Sequence, residues 1–263
     1  MSRSVEIESD REIVCVFLNR PEAFNALNMD MAECLATHLI TLATNEKVRG
    51  IVISGRGKAF CAGGDLKWAL AFPNGPSSAL HELAGRFHQA ILEIRRMPKP
   101  VIAAINGVAA GGGFSLALAC DFRVMSESAL LRQAYTSSGL SIDGGGTFTL
   151  PRMVGLAKAL EIAAFDKPIS SDQALSWGLV TKVVKEGATM EEALKMAHDL
   201  SKSSLNSFGW SKQLLTDSFN SSFEAHIERE RLGLSQCATH PDGKEGLSAF
   251  TEKRKPRFIK EGD

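Results

Sequence analysis

No apolar run in this chain reaches bilayer-spanning length, and its first ten residues, mostly polar, lack the basic-then-apolar pattern of a secretion signal. Net charge is absent too. Thirty Lys and Arg balance 30 Asp and Glu, which removes the electrostatic grip that nucleic acid or an anionic membrane requires. One basic run, Lys253-Arg254-Lys255-Pro256-Arg257, reads as a solvated terminus. The five cysteines, Cys15, Cys34, Cys61, Cys120 and Cys237, include no C-x-x-C pair and are expected to be buried reduced thiols. The six histidines show no metal-ligand spacing, so no metal site is expected. Gly55-Arg56-Gly57-Lys58 runs into Ala59, which spoils a phosphate loop, and Gly111-Gly112-Gly113 lacks the rest of a dinucleotide fingerprint. These absences describe a soluble cytoplasmic protein without nucleic-acid, membrane or metal partners.

At 263 residues and 44% hydrophobic content the chain can bury a sizeable core. Ile13 to Leu18, Gly50 to Ser54 and Val101 to Ile105 read as strands, and Phe122 to Met125 and Ala129 to Arg132 as two shorter ones. Helices are expected over Asn28 to Ala43, with Asn28 as N-cap, and over Ala79 to Arg96 and Gly111 to Ala119. From Gly155 onward the pattern is mainly helical. Alternating strands and helices argue for a wound α/β body. Phe72 to Ser78, with Pro73, Gly75 and Pro76, is expected to be a flexible loop that gates a pocket.

Two glycine-rich segments carry the chemistry. Ala59-Phe60-Cys61-Ala62-Gly63-Gly64-Asp65-Leu66-Lys67 and Ala104-Ile105-Asn106-Gly107-Val108-Ala109-Ala110-Gly111-Gly112-Gly113 each follow a β-branched run and precede helix-compatible sequence. Glycine lets backbone approach a ligand closely, and the first N–H groups of a helix lack internal partners. Two such segments converging on one carbonyl would form an oxyanion hole. Taken alone, a glycine triplet more often means close helix packing.

These segments, together with Asn19-Arg20-Pro21-Glu22-Ala23-Phe24-Asn25-Ala26-Leu27, Lys99 through Asp121, Ser170 to Val180 and Glu245 to Phe250, resemble the ordered motifs of the enoyl-CoA hydratase/isomerase (crotonase) superfamily. The resemblance covers nearly the whole chain. It implies the crotonase (ClpP-like) α/β fold, a right-handed superhelix of ββα repeats with a C-terminal helical trimerisation region. The expected division is a spiral core over residues 1–200 and a helical region over 201–263. It implies an acyl-CoA thioester substrate, with coenzyme A entering as part of that substrate and no separate cofactor. It also implies a homotrimer or dimer of trimers.

Matched by motif, Gly64 and Gly112 would supply the oxyanion-hole amides. Ala23, Ala62, Asp65, Leu66 and Lys67 would border coenzyme A and its thioester. Phe250 and Lys253 would touch the adenosine end, often across a subunit boundary. Family hydratases use two glutamates to add water, and the matching positions here are Ser115 and Tyr135. Neither is a carboxylate base. Asp143, in Gly139-Leu140-Ser141-Ile142-Asp143-Gly144-Gly145-Gly146, matches the working aspartate of a few members, and the local match extends to the 1,2-epoxyphenylacetyl-CoA isomerase branch. An Asp at a helix start is otherwise an ordinary N-cap. One carboxylate suits a 1,3-proton shift, so an enoyl-CoA isomerase is the favoured reading. A 4-chlorobenzoyl-CoA dehalogenase-like hydrolase, with Asp143 as nucleophile and His88 as base beside Tyr135, is the enzymatic alternative. A non-catalytic acyl-CoA binding protein is the other.

Overall fold

The computed structural model describes residues 4–258. Residues 1–3 and 259–263, the ends of the two expected regions, lie outside the described residues. The hairpin β1 (Val5–Asp10) and β2 (Ile13–Leu18) leads through α1 (Met29–Thr44) to β3 (Gly50–Gly55) and β4 (Ala59–Cys61). The helices α2 (Leu66–Leu70) and α3 (Gly75–Arg96) follow. Next come β5 (Val101–Ile105), β6 (Val108–Ala110) and α4 (Gly112–Ala119), then β7 (Phe122–Ser126), β8 (Leu130–Arg132), α5 (Gly146–Val154) and α6 (Leu156–Phe165). The remainder holds β9 (Ile169–Ser170), α7 (Ser171–Ser176), β10 (Lys182–Val184) and α8 (Thr189–Ser201). It ends with α9 (Leu205–Asp217), α10 (Phe223–Thr239) and α11 (Pro241–Thr251).

The strands sort into two sheets with an alternating rule. One sheet runs β1-β2-β3-β5-β7-β10 and the other β4-β6-β8-β9. The pairs β3/β4, β5/β6 and β7/β8 each give their first strand to the larger sheet and their second to the smaller one. Every such turn then returns through helix, because parallel neighbours require a crossover. The pairs β2–β3, β3–β5 and β5–β7 are parallel, whereas β1–β2 and β8–β9 are antiparallel.

The larger sheet is covered on both faces, which explains its unbroken apolar runs. Val14, Val16, Ile51, Ile53, Ala103 and Ile105 face α1, α3 and α4 in the main core. Their neighbours Ile13, Cys15, Val52, Ile102 and Ala104 face Ala193 and Ala197 of α8. Asn28 caps α1 as expected, its side chain accepting from the Met31 N–H at 3.0 Å.

Some expectations need correction. Gly75, Pro76, Ser77 and Ser78 are the first turn of α3 rather than loop. Proline is tolerated in a first helical turn, where its missing N–H would be unpaired anyway. The polar Val5–Asp10 segment is a strand, lying at the edge where only one neighbour is needed. Three cysteines are buried and two are half-buried. Burial pushes the Cys61 thiol up to about 12, despite a hydrogen bond with the Gly63 backbone that favours the thiolate.

Candidate active site

The two glycine-rich segments meet at the ends of β4 and β6, which are parallel neighbours in the small sheet. Their contact is too close for side chains. A Cβ on Gly113 would stand 2.1 Å from the Cys61 carbonyl oxygen, and one on Gly63 would stand 3.0 Å from that of Ala110. Gly111 takes φ +52 and ψ −124 where the chain turns into α4, a conformation that excludes a Cβ. Close packing therefore accounts for Gly63 and Gly113. Gly64 differs. A Cβ there would meet nothing nearer than Leu83 Cδ2 at 4.0 Å, so its face is open.

The free donors follow from the backbone pattern. Leu27 N–H donates to Gly63 O at 2.7 Å and Asp65 N–H to Leu27 O at 2.8 Å, a ladder that leaves the Gly64 amide out. Gly112 is the first residue of α4, where an N–H has no carbonyl one turn earlier. Both line a cavity of about 430 Å³. Ala62, Leu66, Tyr135 and Asp143 line it too, so six of the expected site residues share one space. Its apolar wall comes from Leu80, Leu83, Ala84 and Phe87 of α3. Sequence reasoning missed these, although their i, i+3, i+4, i+7 spacing marks one helix face.

Asp143 is not a helix cap. The N-cap of α5 is Gly145, in the left-handed region at φ 76, and Asp143 contributes only its carbonyl, to the Gly146 N–H at 3.0 Å. Its side chain points elsewhere: Tyr135 Oη donates to Oδ1, and Oδ2 lies 3.8 Å from His88 Nε2. Burial, then the neighbouring Asp143 charge, raises the Tyr135 phenol well above its ordinary value, so it stays protonated and donates. Ser115 Oγ donates to the Asp143 carbonyl at 2.8 Å. Ser115 and Tyr135, the residues expected in place of hydratase glutamates, thus both hold Asp143. His88 Nε2 accepts from the Gly144 N–H at 3.2 Å, which puts any proton of the neutral ring on Nδ1. His88 lines a separate cavity beyond Asp143.

The remaining expected residues lie outside this cavity. Asp65 caps α2, accepting from the Trp68 N–H at 3.0 Å, and pairs with Arg20 at 2.9 Å. Burial alone would raise its carboxyl, but the Trp68 N–H and Arg20 outweigh burial and hold it low. Ala23 ends a short 3-10 turn after Arg20, and Lys67 is exposed on α2. Phe250 is 83% exposed on α11, and Lys253 follows that helix at φ 55. Among the described residues, no group of three or more His, Cys, Asp or Glu is placed to hold a metal ion, and no helix is long and apolar enough to cross a membrane.

A parallel-stranded spiral with paired glycine turns facing one carboxylate-lined cavity defines a recognisable class. Residues 8–261 match the Enoyl-CoA hydratase/isomerase family, and the chain belongs to it. It is 34% identical over 250 residues to 1,2-epoxyphenylacetyl-CoA isomerase of Escherichia coli, covering 95% of each chain. It is 36% identical over 256 residues to a probable enoyl-CoA hydratase of Bacillus subtilis, covering 97% of this chain and 98% of that one. Among solved structures, an enoyl-CoA hydratase from Polaromonas sp. JS666 superposes with a TM-score of 0.91 at 35% identity. That match covers 96% of this chain and 98% of the other. The fold is the crotonase fold, and the protein is an acyl-CoA enzyme of this family.

Proposed function

We propose that the protein is an enoyl-CoA isomerase that moves a double bond by a 1,3-proton shift at Asp143. The observation that carries this reading is the shared cavity of Gly64, Gly112 and a carboxylate that caps no helix. The thioester carbonyl would accept from the Gly64 and Gly112 N–H groups, each such donor being worth roughly 2.7–4 kcal/mol in the transition state. Asp143 would take a proton from one carbon of the acyl chain, and the electron pair would delocalise into a dienolate on the carbonyl oxygen. The same carboxyl, its proton exchanging with solvent, would protonate the chain two carbons away. Tyr135 holds Oδ1, so Oδ2 is the oxygen left to carry the proton. No water is activated, in keeping with Ser115 and Tyr135 at the two hydratase positions.

Ala23, Ala62 and Asp65 to Lys67 would border coenzyme A, with Phe250 and Lys253 at its adenosine end. Neither of the last two lines the cavity within one subunit, so this part of the reading requires a neighbouring copy. Exposed Leu215, Phe219, Phe223 and Leu234 on and beside α9 and α10 supply apolar surface for a trimer or a dimer of trimers. Sedimentation as a folded monomer at micromolar concentration would count against it.

The distance of 3.8 Å between His88 and Asp143 supports a second reading, dehalogenase-like hydrolysis with Asp143 as nucleophile. Against it, His88 Nε2 is occupied by the Gly144 N–H and lies outside the cavity lining. Incubation with 3-enoyl-CoA, 2-enoyl-CoA, 1,2-epoxyphenylacetyl-CoA and 4-chlorobenzoyl-CoA in deuterated water separates the readings. Isomerisation with deuterium at the shifted carbon is expected; halide release dependent on His88 would favour the second. Binding of these thioesters without turnover would leave a non-catalytic binder.

A further inference from the structure

Behind Asp143 lies a second cavity, of about 500 Å³, lined by His88, Arg95, Phe148 and Asn220 among others. It abuts the first: Phe87 lines one and His88 the other, and Asp143 lines one and Gly145 the other. The two share no lining residue, and Phe87, Gly144 and His88 form the wall between them, so an acyl chain held at Gly64, Gly112 and Asp143 reaches the second space only by passing this boundary. His88 at the boundary is 46% exposed and held at Nε2 by a single backbone N–H.

Arg95 brings a cation into the lining of the second cavity, and Arg152 stands beside its Phe148 wall. Arg95 is half-buried with its guanidinium 4.9 Å from the Phe148 ring centre, and Arg152 lies 3.4 Å from the same ring. Several arginines have carboxylate partners, among them Arg20, Arg56, Arg132, Arg229 and Arg254, while the buried Arg123 donates to backbone carbonyls. Among the described residues, Arg95 has no ion pair or hydrogen bond, and Arg152 donates only to the Phe148 carbonyl. Asp217, the nearby carboxylate, is taken by Arg229 at 2.7 Å. Burial pulls Arg95 below the ordinary guanidinium value, and Asp217 offsets this in part. A guanidinium with five donors in a rigid fork, partly desolvated and unpaired, is suited to bind a carboxylate.

We propose that the acyl group carries an anionic far end, a carboxylate or equivalent, which Arg95 binds in the second cavity with support from Arg152. This rests on the acyl-CoA reading of the first cavity and names the substrate class for it. Arg95 stands seven residues beyond His88 on α3, a rise of about 10 Å. That span suits a medium-length chain whose reacting carbons lie at Asp143.

The test compares suberoyl-CoA with octanoyl-CoA, equal in carbon number but different in terminal charge, by calorimetric titration. The wild type should bind suberoyl-CoA tighter, on the order of tenfold, and added salt should shrink that preference. Arg95→Gln should bring the ratio near one, and Arg95→Lys should keep part of it. Wild-type preference for octanoyl-CoA overturns the proposal, and that comparison needs no variant to fold. A preference untouched by Arg95→Gln also overturns it, while leaving the isomerase reading intact. If neither thioester binds, this proposal falls, whereas turnover of 3-enoyl-CoA in the incubation above would keep the isomerase reading.

Discussion

Asp121 and Asp143 stand at opposite ends of α4's surroundings and illustrate two uses of a half-hidden carboxylate. Asp121 accepts from the Val101 N–H at 2.9 Å and from Lys212 at 2.8 Å, with its side chain only 14% exposed. Lys212, on α9, also donates to the carbonyls of Ile94 and Lys99 at 2.6 and 3.3 Å. Both bonds fall on Oδ2, clamped between a backbone N–H and a buried ammonium, and they tie the helical end of the chain to the spiral. Asp143 is 36% exposed and lines the cavity, with one oxygen bonded to Tyr135 and the other 3.8 Å from His88 Nε2. A carboxylate held by a buried ammonium and outside any cavity lining serves structure. One with a free oxygen in a cavity can exchange a proton.

The largest effects should fall on different observables at the two sites. Asp143→Asn should preserve folding and thioester binding while lowering turnover by about 10²–10⁴, because an amide cannot act as the base. Asp143→Asn with wild-type isomerisation would end the proton-shift reading. Lys212→Met leaves Asp121 buried beside Val101 without its cation. Breaking such a pair costs about 3–5 kcal/mol, so denaturant unfolding should show that loss. Activity per folded molecule should change much less, unless assembly is also disturbed. A fall in turnover larger than the fall in stability would erase the distinction between the two carboxylates.

Tyr135→Phe sharpens the comparison from within the cavity. It removes a hydrogen bond to a charged group, a contact worth about 1.5–3 kcal/mol, and frees Oδ1 to compete with Oδ2 for the proton. The expected loss is on the order of tenfold in kcat, with KM little changed. Ser115→Ala removes one neutral hydrogen bond to the Asp143 carbonyl and should cost roughly 1 kcal/mol. A Tyr135→Phe enzyme indistinguishable from wild type would mean that orientation of Asp143 is set by the backbone alone.

Much of this was legible in the sequence, and the failures have physical causes. β2, β3 and β5 read as buried strands because both faces of their sheet are covered. β4 and β6, three residues each, are too short for periodicity and are embedded in the glycine motifs. The first turn of α3 was hidden by Pro76, which punctuates a loop as readily as it starts a helix. Gly64, Gly112 and Asp143 could be placed by motif. The hold on Asp143 could not be: Tyr135 reaches it across a short turn, and Ser115 from 28 residues away. Nor does an Asp-Gly-Gly-Gly run reveal that the left-handed Gly145, rather than the aspartate, begins α5.

The smallest effect tests a tie that resembles the Lys212 anchor in form but not in burial. His198 on α8 lies 3.0 Å from Asp10 and 3.3 Å from Glu12, at the turn of the β1–β2 hairpin. The Asp10 hydrogen bond, against the opposing pull of burial and with help from Glu12, raises the histidine above its ordinary value. A raised value means that the charged ring favours the folded state. Its contribution is therefore fully present below the unfolded value of about 6.5 and is lost as pH rises through the folded one. Asp10 is 47% exposed, so screening limits the gain to less than about 1 kcal/mol. Thermal unfolding near pH 6 and near pH 8 should show His198→Gln losing more relative to wild type at the lower pH. Equal losses at both would mean that His198 contributes by packing and by neutral hydrogen bonds. The opposite order would mean that the ring is held neutral, and Asp10 and Glu12 would then not act as its counter-charges.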